Sequence, residues 1–241
     1  MNSSSNSNQF RSTHWSVIAT AAGSSSQRRQ SLETLCGQYW LPVYSFVRSR
    51  NFDAPTAEDI TQDFFSHLVQ QSALLKRADP ANGRFRTYLL AAVKNHIANH
   101  QRGQKAIKRG GGFTIFSIDA DAERRYLAEP TDDWTAEAIF NRQWAIALLD
   151  HVLNRLAQRY EDRDRTNWFE TIRPFLTTSA RPSYDQLAEQ LGTTPAAARV
   201  AVHRIRKEYR DALACEIAAT IGEGESVSAE RTELLRALNG G

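Results

Sequence analysis

Between Arg84 and Arg109 the chain carries Arg84, Arg86, Lys94, Arg102, Lys105, Lys108 and Arg109 and no Asp or Glu. Such a stretch repels itself unless an anion lies against it. Phe85 and Tyr88 stand at its start, and Asn95 and Asn99 follow one helical turn apart. Aromatic faces, base-edge amides and phosphate-seeking cations together suit unpaired nucleic-acid bases better than duplex. The expected contacts are Arg84, Phe85, Lys94, Asn95, Asn99, Arg102 and Lys105. The same spacing also fits Phe85, Tyr88, Leu89, Ala92 and Val93 as core residues. His96 and His100 stand at i and i+4 like a zinc-binding pair, but Ile97 occupies the place of a metalloprotease's general-base Glu and no third ligand suggests itself. No metal or other cofactor is expected.

A second set of residues is arranged for duplex. Ser183 and Gln186 have capping-box spacing, and Leu187, Ala188 and Leu191 then line one face of a short helix that Gly192 ends. Thr194 is the expected N-cap and Pro195 the first residue of a longer helix, where the missing N–H costs nothing. On it Ala198, Val202, Ile205 and Tyr209 face the first helix, and small Ala188 and Ala198 permit a close crossing. The outer face presents Ala196, Ala197, Arg199, Val200 and His203, then Arg206, Lys207 and Arg210. A helix-turn-helix places such a face in a major groove and against the flanking phosphates. Ala196, Ala197, Arg199, Val200, His203 and Lys207 are the candidate duplex contacts, with Arg199 the best placed for a base edge. An ordinary helical hairpin with a solvated basic side would share the periodicity. The agreement of cap, glycine turn, Pro at N1 and five basic residues against the single acid Glu208 favours the DNA reading.

Glu58, Asp59, Gln62 and Asp63 cluster beside Phe64 and Phe65. Acids in a first turn complement the helix dipole. In a chain that binds DNA, such a patch repels phosphate and faces something else, and a protein partner with basic residues fits it.

The elements that must position these groups are helical. Apolar residues recur at helical spacing through Leu32, Leu35, Tyr39, Leu41, Tyr44 and Val47, and again through Ile60, Phe64, Phe65 and Leu68. Thr56 with Asp59 has capping-box spacing for a helix expected to end by Asp79-Pro80, and a third long helix is expected from Arg84 to about Gln104. Helical spacing resumes at Ile139, Trp144, Leu148, Leu149, Val152 and Leu156, and at Trp168, Phe169, Ile172, Phe175 and Leu176. The expected fold class is all-α, two helical domains joined by a flexible linker. The Ser- and Asn-rich residues 1–9 form a disordered lead and residues 10–109 the first domain. A linker at 110–135 contains the Gly110-Gly111-Gly112 break and a short alternating segment, Phe113 to Ile118. Residues 136–215 form the helix-turn-helix domain, and 216–241 a helical extension that docks on the body or binds a regulator.

Composition excludes several classes. The 241 residues include 41% hydrophobic and 24% charged residues, a globular balance. No apolar run approaches the roughly 18 residues of a membrane span, and Val17 to Ala22 is too short for a signal-peptide core, so a cytoplasmic protein is expected. Two cysteines, Cys36 and Cys215, make neither a disulfide framework nor a zinc knuckle. With no nucleophile and base pair or phosphate loop, an enzyme is not expected.

The segment Ala57-Glu58-Asp59-Ile60-Thr61-Gln62-Asp63-Phe64-Phe65 resembles conserved region 2 of the sigma-70 factors of bacterial RNA polymerase, and Ser183 to Arg210 resembles their region 4. Tyr39-Trp40-Leu41-Pro42-Val43-Tyr44, Gly83-Arg84-Phe85-Arg86 and Lys108-Arg109-Gly110-Gly111-Gly112 are similar to an extracytoplasmic-function-like group of planctomycete type. The resemblance implies that Asp59, Gln62, Asp63 and Phe65 contact core RNA polymerase. It implies that the Arg84-Phe85 loop and the helix bearing Lys94, Asn95 and Asn99 hold flipped −10 promoter bases, while Arg199, Val200 and His203 read the −35 duplex. It also leaves room for an anti-sigma factor or other regulator as a partner. Ala197 and Val200 stand where many relatives carry Thr or Ser, so promoter sequence does not transfer. The rival is a stand-alone helix-turn-helix regulator binding duplex as a symmetric dimer, which leaves the first half of the chain without a role.

Overall fold

The computed structural model describes residues 14–23, 27–103, 122–127, 134–177, 183–222 and 224–239. The lead at 1–9, the linker outside 122–127 and 134–135, the segment from Phe113 to Ile118, and Lys105 lie outside the described residues.

The aromatic and aliphatic spacing of the first half produces α1 (His14–Ala22), α2 (Arg28–Arg48), α3 (Ala54–Gln70), α4 (Ser72–Lys76) and α5 (Phe85–Gly103). Asp53, not Thr56, begins α3. Its side chain accepts the Thr56 N–H at 3.0 Å from an extended backbone, and Pro55 sits in the first turn where it sacrifices no bond. The capping residue differs from expectation: Thr56 lies inside the helix because the carboxylate three residues earlier already meets its amide. The run towards Asp79 is broken at Gln71, with α4 as a separate short helix, and a 3-10 turn at Pro80–Asn82 leads into α5.

Beyond these come α6 (Ala122–Leu127), α7 (Ala136–Glu161), α8 (Thr166–Ile172), α9 (Pro174–Thr177), α10 (Tyr184–Gln190), α11 (Pro195–Thr220) and α12 (Val227–Asn239). The fold is all-α, with no strand among the described residues.

The chain divides into two compact units, one running through Leu148 and resuming at Ile217, the other Leu149–Glu216. In the first, α2 packs on α1, α3 and α5. Leu35, Tyr39, Phe46 and Val47 of α2, Ile60, Phe64, Phe65 and Leu68 of α3, and Phe85, Leu89 and Val93 of α5 are all buried, with Tyr39 edge-on to Phe85. Phe46 also meets Phe140 of α7 edge-on, the centroids 6.3 Å apart. The residues after Ile217, expected as an extension that docks or binds a regulator, belong to this unit and bury Ile217, Glu230 and Leu234.

The second unit has its own core. Leu153, Leu156 and Tyr160 of α7, Phe169 and Ile172 of α8, Phe175 of α9, Leu187 and Ala188 of α10, and Ala198, Val202 and Ile205 of α11 form one buried cluster. Ala188 of α10 and Ala198 of α11 are both buried in this cluster.

Candidate nucleic-acid interface

In the second unit the local signals position the outer face of α11. Ser183 Oγ accepts the Asp185 and Gln186 amides at 3.2 and 3.4 Å, which fixes the start of α10. Gly192 closes it with φ +61°, a conformation an L side chain rarely adopts. Thr194 Oγ1 accepts the Ala197 N–H at 3.2 Å and so helps start α11. Burial of Ala198, Val202 and Ile205 then leaves Ala196, Ala197, Arg199, Val200, His203 and Lys207 exposed together. Val200 retains 50% of its surface, high for a branched apolar side chain facing nothing. The Arg199 guanidinium lies over the Tyr184 ring, 5.6 Å from its centroid, which steadies it without burying it. Arg206 departs from the expected basic face. Its Nε and Nη2 donate to the Phe175 carbonyl at 3.2 and 3.0 Å, tying α11 to α9.

In the first unit the basic stretch meets acids that come from elsewhere in the chain. Lys94 Nζ lies 2.7 Å from Glu137 Oε1, with 47% and 41% of the two side chains still exposed. The hydrogen bond from Lys94, foremost, holds the Glu137 carboxyl below its ordinary range. His96 Nε2 lies 3.2 Å from Asp63 Oδ2. Burial, foremost, lowers the His96 pKa, with His67 and His100 adding to the effect and Asp63 opposing it. Among the described residues no group of three His, Cys, Asp or Glu is placed to hold a metal ion. Asn95, Asn99 and Arg102 are exposed on α5.

Phe85 is a correction. Its ring is fully buried, edge-on to Tyr39 and Trp15 with centroids 5.5 and 5.9 Å away. Its place in the first turn of α5 turns it between α2 and α1, so it is a core residue and offers no face to a base. Phe65 is corrected for the same reason: it is fully buried, stacked on Trp40, and not on the exposed side of α3 with Asp59 and Asp63. Gln62 is half-buried between them.

Sequence reasoning missed the partners of the Gly83-Arg84-Phe85-Arg86 motif. Arg86 Nε and Nη2 donate to the two carboxylate oxygens of Glu230 at 3.0 and 2.9 Å, and Nη1 donates to Asn141 Oδ1 at 2.8 Å. The Arg86 guanidinium also lies 4.5 Å from the centroid of the Trp144 ring. Arg84 Nε lies 2.8 Å from Glu230 and 3.3 Å from Glu225. No local pattern marks Glu230 as a partner. The one available signal is an acid on the otherwise apolar side of an amphipathic helix, one turn before Leu234.

One unit thus carries a capped helix pair, α10 and α11, with an exposed outer face, and the other a helical bundle bearing a basic helix and an acidic helix. Residues 37–107, spanning most of α2 through α5, match the family model described as Sigma-70 region 2. The match is confined to that segment of the first unit. No curated protein and no solved structure matches the chain. No helix among the described residues is long and apolar enough to cross a membrane.

Proposed function

We propose that this chain is an extracytoplasmic-function-like sigma factor that brings bacterial core RNA polymerase to specific promoters, acting in the cytoplasm and without catalysis of its own. The carrying observation is the Sigma-70 region 2 match over α2 to α5 in a chain that also has a capped helix-turn-helix with an open outer face. Asp59, Gln62 and Asp63 on α3 meet basic residues of the polymerase. Asn95, Asn99 and Arg102 on α5, with Lys94, Arg84 and Lys105, engage the opened −10 strand. Ala196, Ala197, Arg199, Val200, His203 and Lys207 on α11 lie in the major groove of the −35 duplex, with Arg199 at a base edge and Lys207 at a phosphate. An anti-sigma factor or other regulator is a further candidate partner.

Gel filtration with purified core polymerase tests this reading. The chain is expected to co-elute, and Asp59→Lys combined with Asp63→Lys is expected to abolish co-elution while the variant remains folded. A chain that never co-elutes contradicts the proposal.

A further inference from the structure

The acid-free basic stretch begins at Arg84, and the carboxylates that answer its first two arginines come from beyond α11. Glu230 is fully buried between Arg84 and Arg86, and Glu225 reaches Arg84 from the same segment. Glu225 also accepts the Gly222 N–H at 3.1 Å, which folds the segment onto itself. Gly222 lies against the turn that precedes Arg84: a Cβ there would stand 2.2 Å from the Pro80 carbonyl oxygen and 3.0 Å from that of Gly83. Trp15 Nε1 donates to the Ile221 carbonyl at 3.1 Å, and Arg142 donates to that of Leu238, so the segment is held at both ends.

Three features mark this seam as exchangeable. First, α12 fully buries only Leu234 and Glu230 and leaves Leu235 53% exposed, so one of its two buried anchors is a carboxylate. Second, Arg84 Nε approaches Glu230 at 2.8 Å without hydrogen-bond alignment, whereas Arg86 makes an aligned two-point fork on the same carboxylate. Third, a carboxylate and a phosphate present the same paired oxygens to guanidinium groups. Arg86, also held by Asn141 and Trp144, keeps its place if Glu230 leaves; Arg84, with 24% of its side chain exposed, gains an open site.

We propose that the segment from Gly222 through α12 is a built-in competitor for nucleic acid, with Glu225 and Glu230 occupying at Arg84 the position a phosphodiester of the single strand takes in the bound state. The free chain then holds its −10 contact shut, and a strand engaging Arg84 lifts the segment. This rests on the reading of the start of α5 as a single-strand contact.

The experiment is fluorescence anisotropy of a labelled single-stranded oligonucleotide against the full-length chain and its Glu225→Gln, Glu230→Gln and Gly222→Ala variants, across a salt series. Expected is binding at least about fivefold tighter than the parent chain, the size of an ordinary coupling between sites. The dependence of log affinity on log salt should steepen by about 0.7 for each phosphate newly contacted. Adding Arg84→Ala to Glu225→Gln should erase the gain. If Glu230→Gln does not fold because two arginines lose their partner, Glu225→Gln and Gly222→Ala decide. Folded variants that bind the strand no more tightly than the parent overturn the proposal and make the segment a structural clasp. Co-elution with polymerase, measured on the same variants, reports separately on the sigma reading: its loss in the parent chain would sink that reading, while the anisotropy series would still decide the competition.

Discussion

The Phe65 ring lies stacked on the indole of Trp40, their centroids 5.5 Å apart and their planes inclined by 24°. This contact pins α3 to α2 and separates two roles that the sequence places side by side, since Asp59 and Asp63 remain exposed on the same helix. Phe65→Ala is expected to cost about 3–5 kcal/mol of folding stability in urea denaturation. Asp59→Lys with Asp63→Lys is expected to change stability by no more than about 0.5 kcal/mol for each exposed position. Denaturation midpoints in the opposite order would contradict this division.

On α11, Arg199→Ala is expected to cost about 1–3 kcal/mol of duplex affinity at particular base-pair positions and to relax preference there. Lys207→Ala should weaken binding on every sequence alike and lower the salt slope by about one. Gel-shift titrations on a specific and a scrambled promoter separate the two, and equal losses for Arg199→Ala on both would remove it from base reading.

The α10 and α11 pair was legible because its signals are local. Ser183 meets amides two and three residues away, Gly192 supplies its own positive φ, and Ala198, Val202 and Ile205 bury themselves at one spacing. The first unit was less legible because helical spacing does not say how many sides of a helix are covered. Phe64 and Phe65 are adjacent and both fully enclosed, as α3 is covered over a wide arc. Phe85 satisfied core spacing and a stacking role equally well until Tyr39 and Trp15 were placed against it. The anions that the basic stretch calls for were not legible locally: Glu137 and Glu230 reach Lys94 and Arg86 from distant parts of the chain.

His96 makes stability depend on pH. Its folded pKa lies below the ordinary 6.5, mainly through burial, so as pH falls below that value the unfolded chain takes up the proton first. Stability is therefore intact above pH 6.5 and declines as pH drops towards the folded pKa, by at most about 1.4 kcal/mol per pH unit for this one proton. His96→Gln should flatten that part of the profile in urea denaturation at stepped pH. An unchanged slope would assign the dependence to other groups.

The two thiols should react differently. Burial, foremost, and the charge of Glu33 push the Cys36 thiol up to about 12, whereas Cys215 is exposed. Since the thiolate is the reactive form, iodoacetamide should label Cys215 in the folded chain and Cys36 only after denaturation. Mass spectrometry of tryptic peptides reads this directly, and rapid native labelling of Cys36 would contradict the packing of α2.

The central claim is tested most directly by run-off transcription with purified core polymerase on genomic fragments, with and without the chain. New, discrete start sites that appear only with the chain, and disappear with the Asp59→Lys and Asp63→Lys double variant, are the predicted result. No new transcripts, together with tight binding to intact duplex as a symmetric dimer, would contradict it.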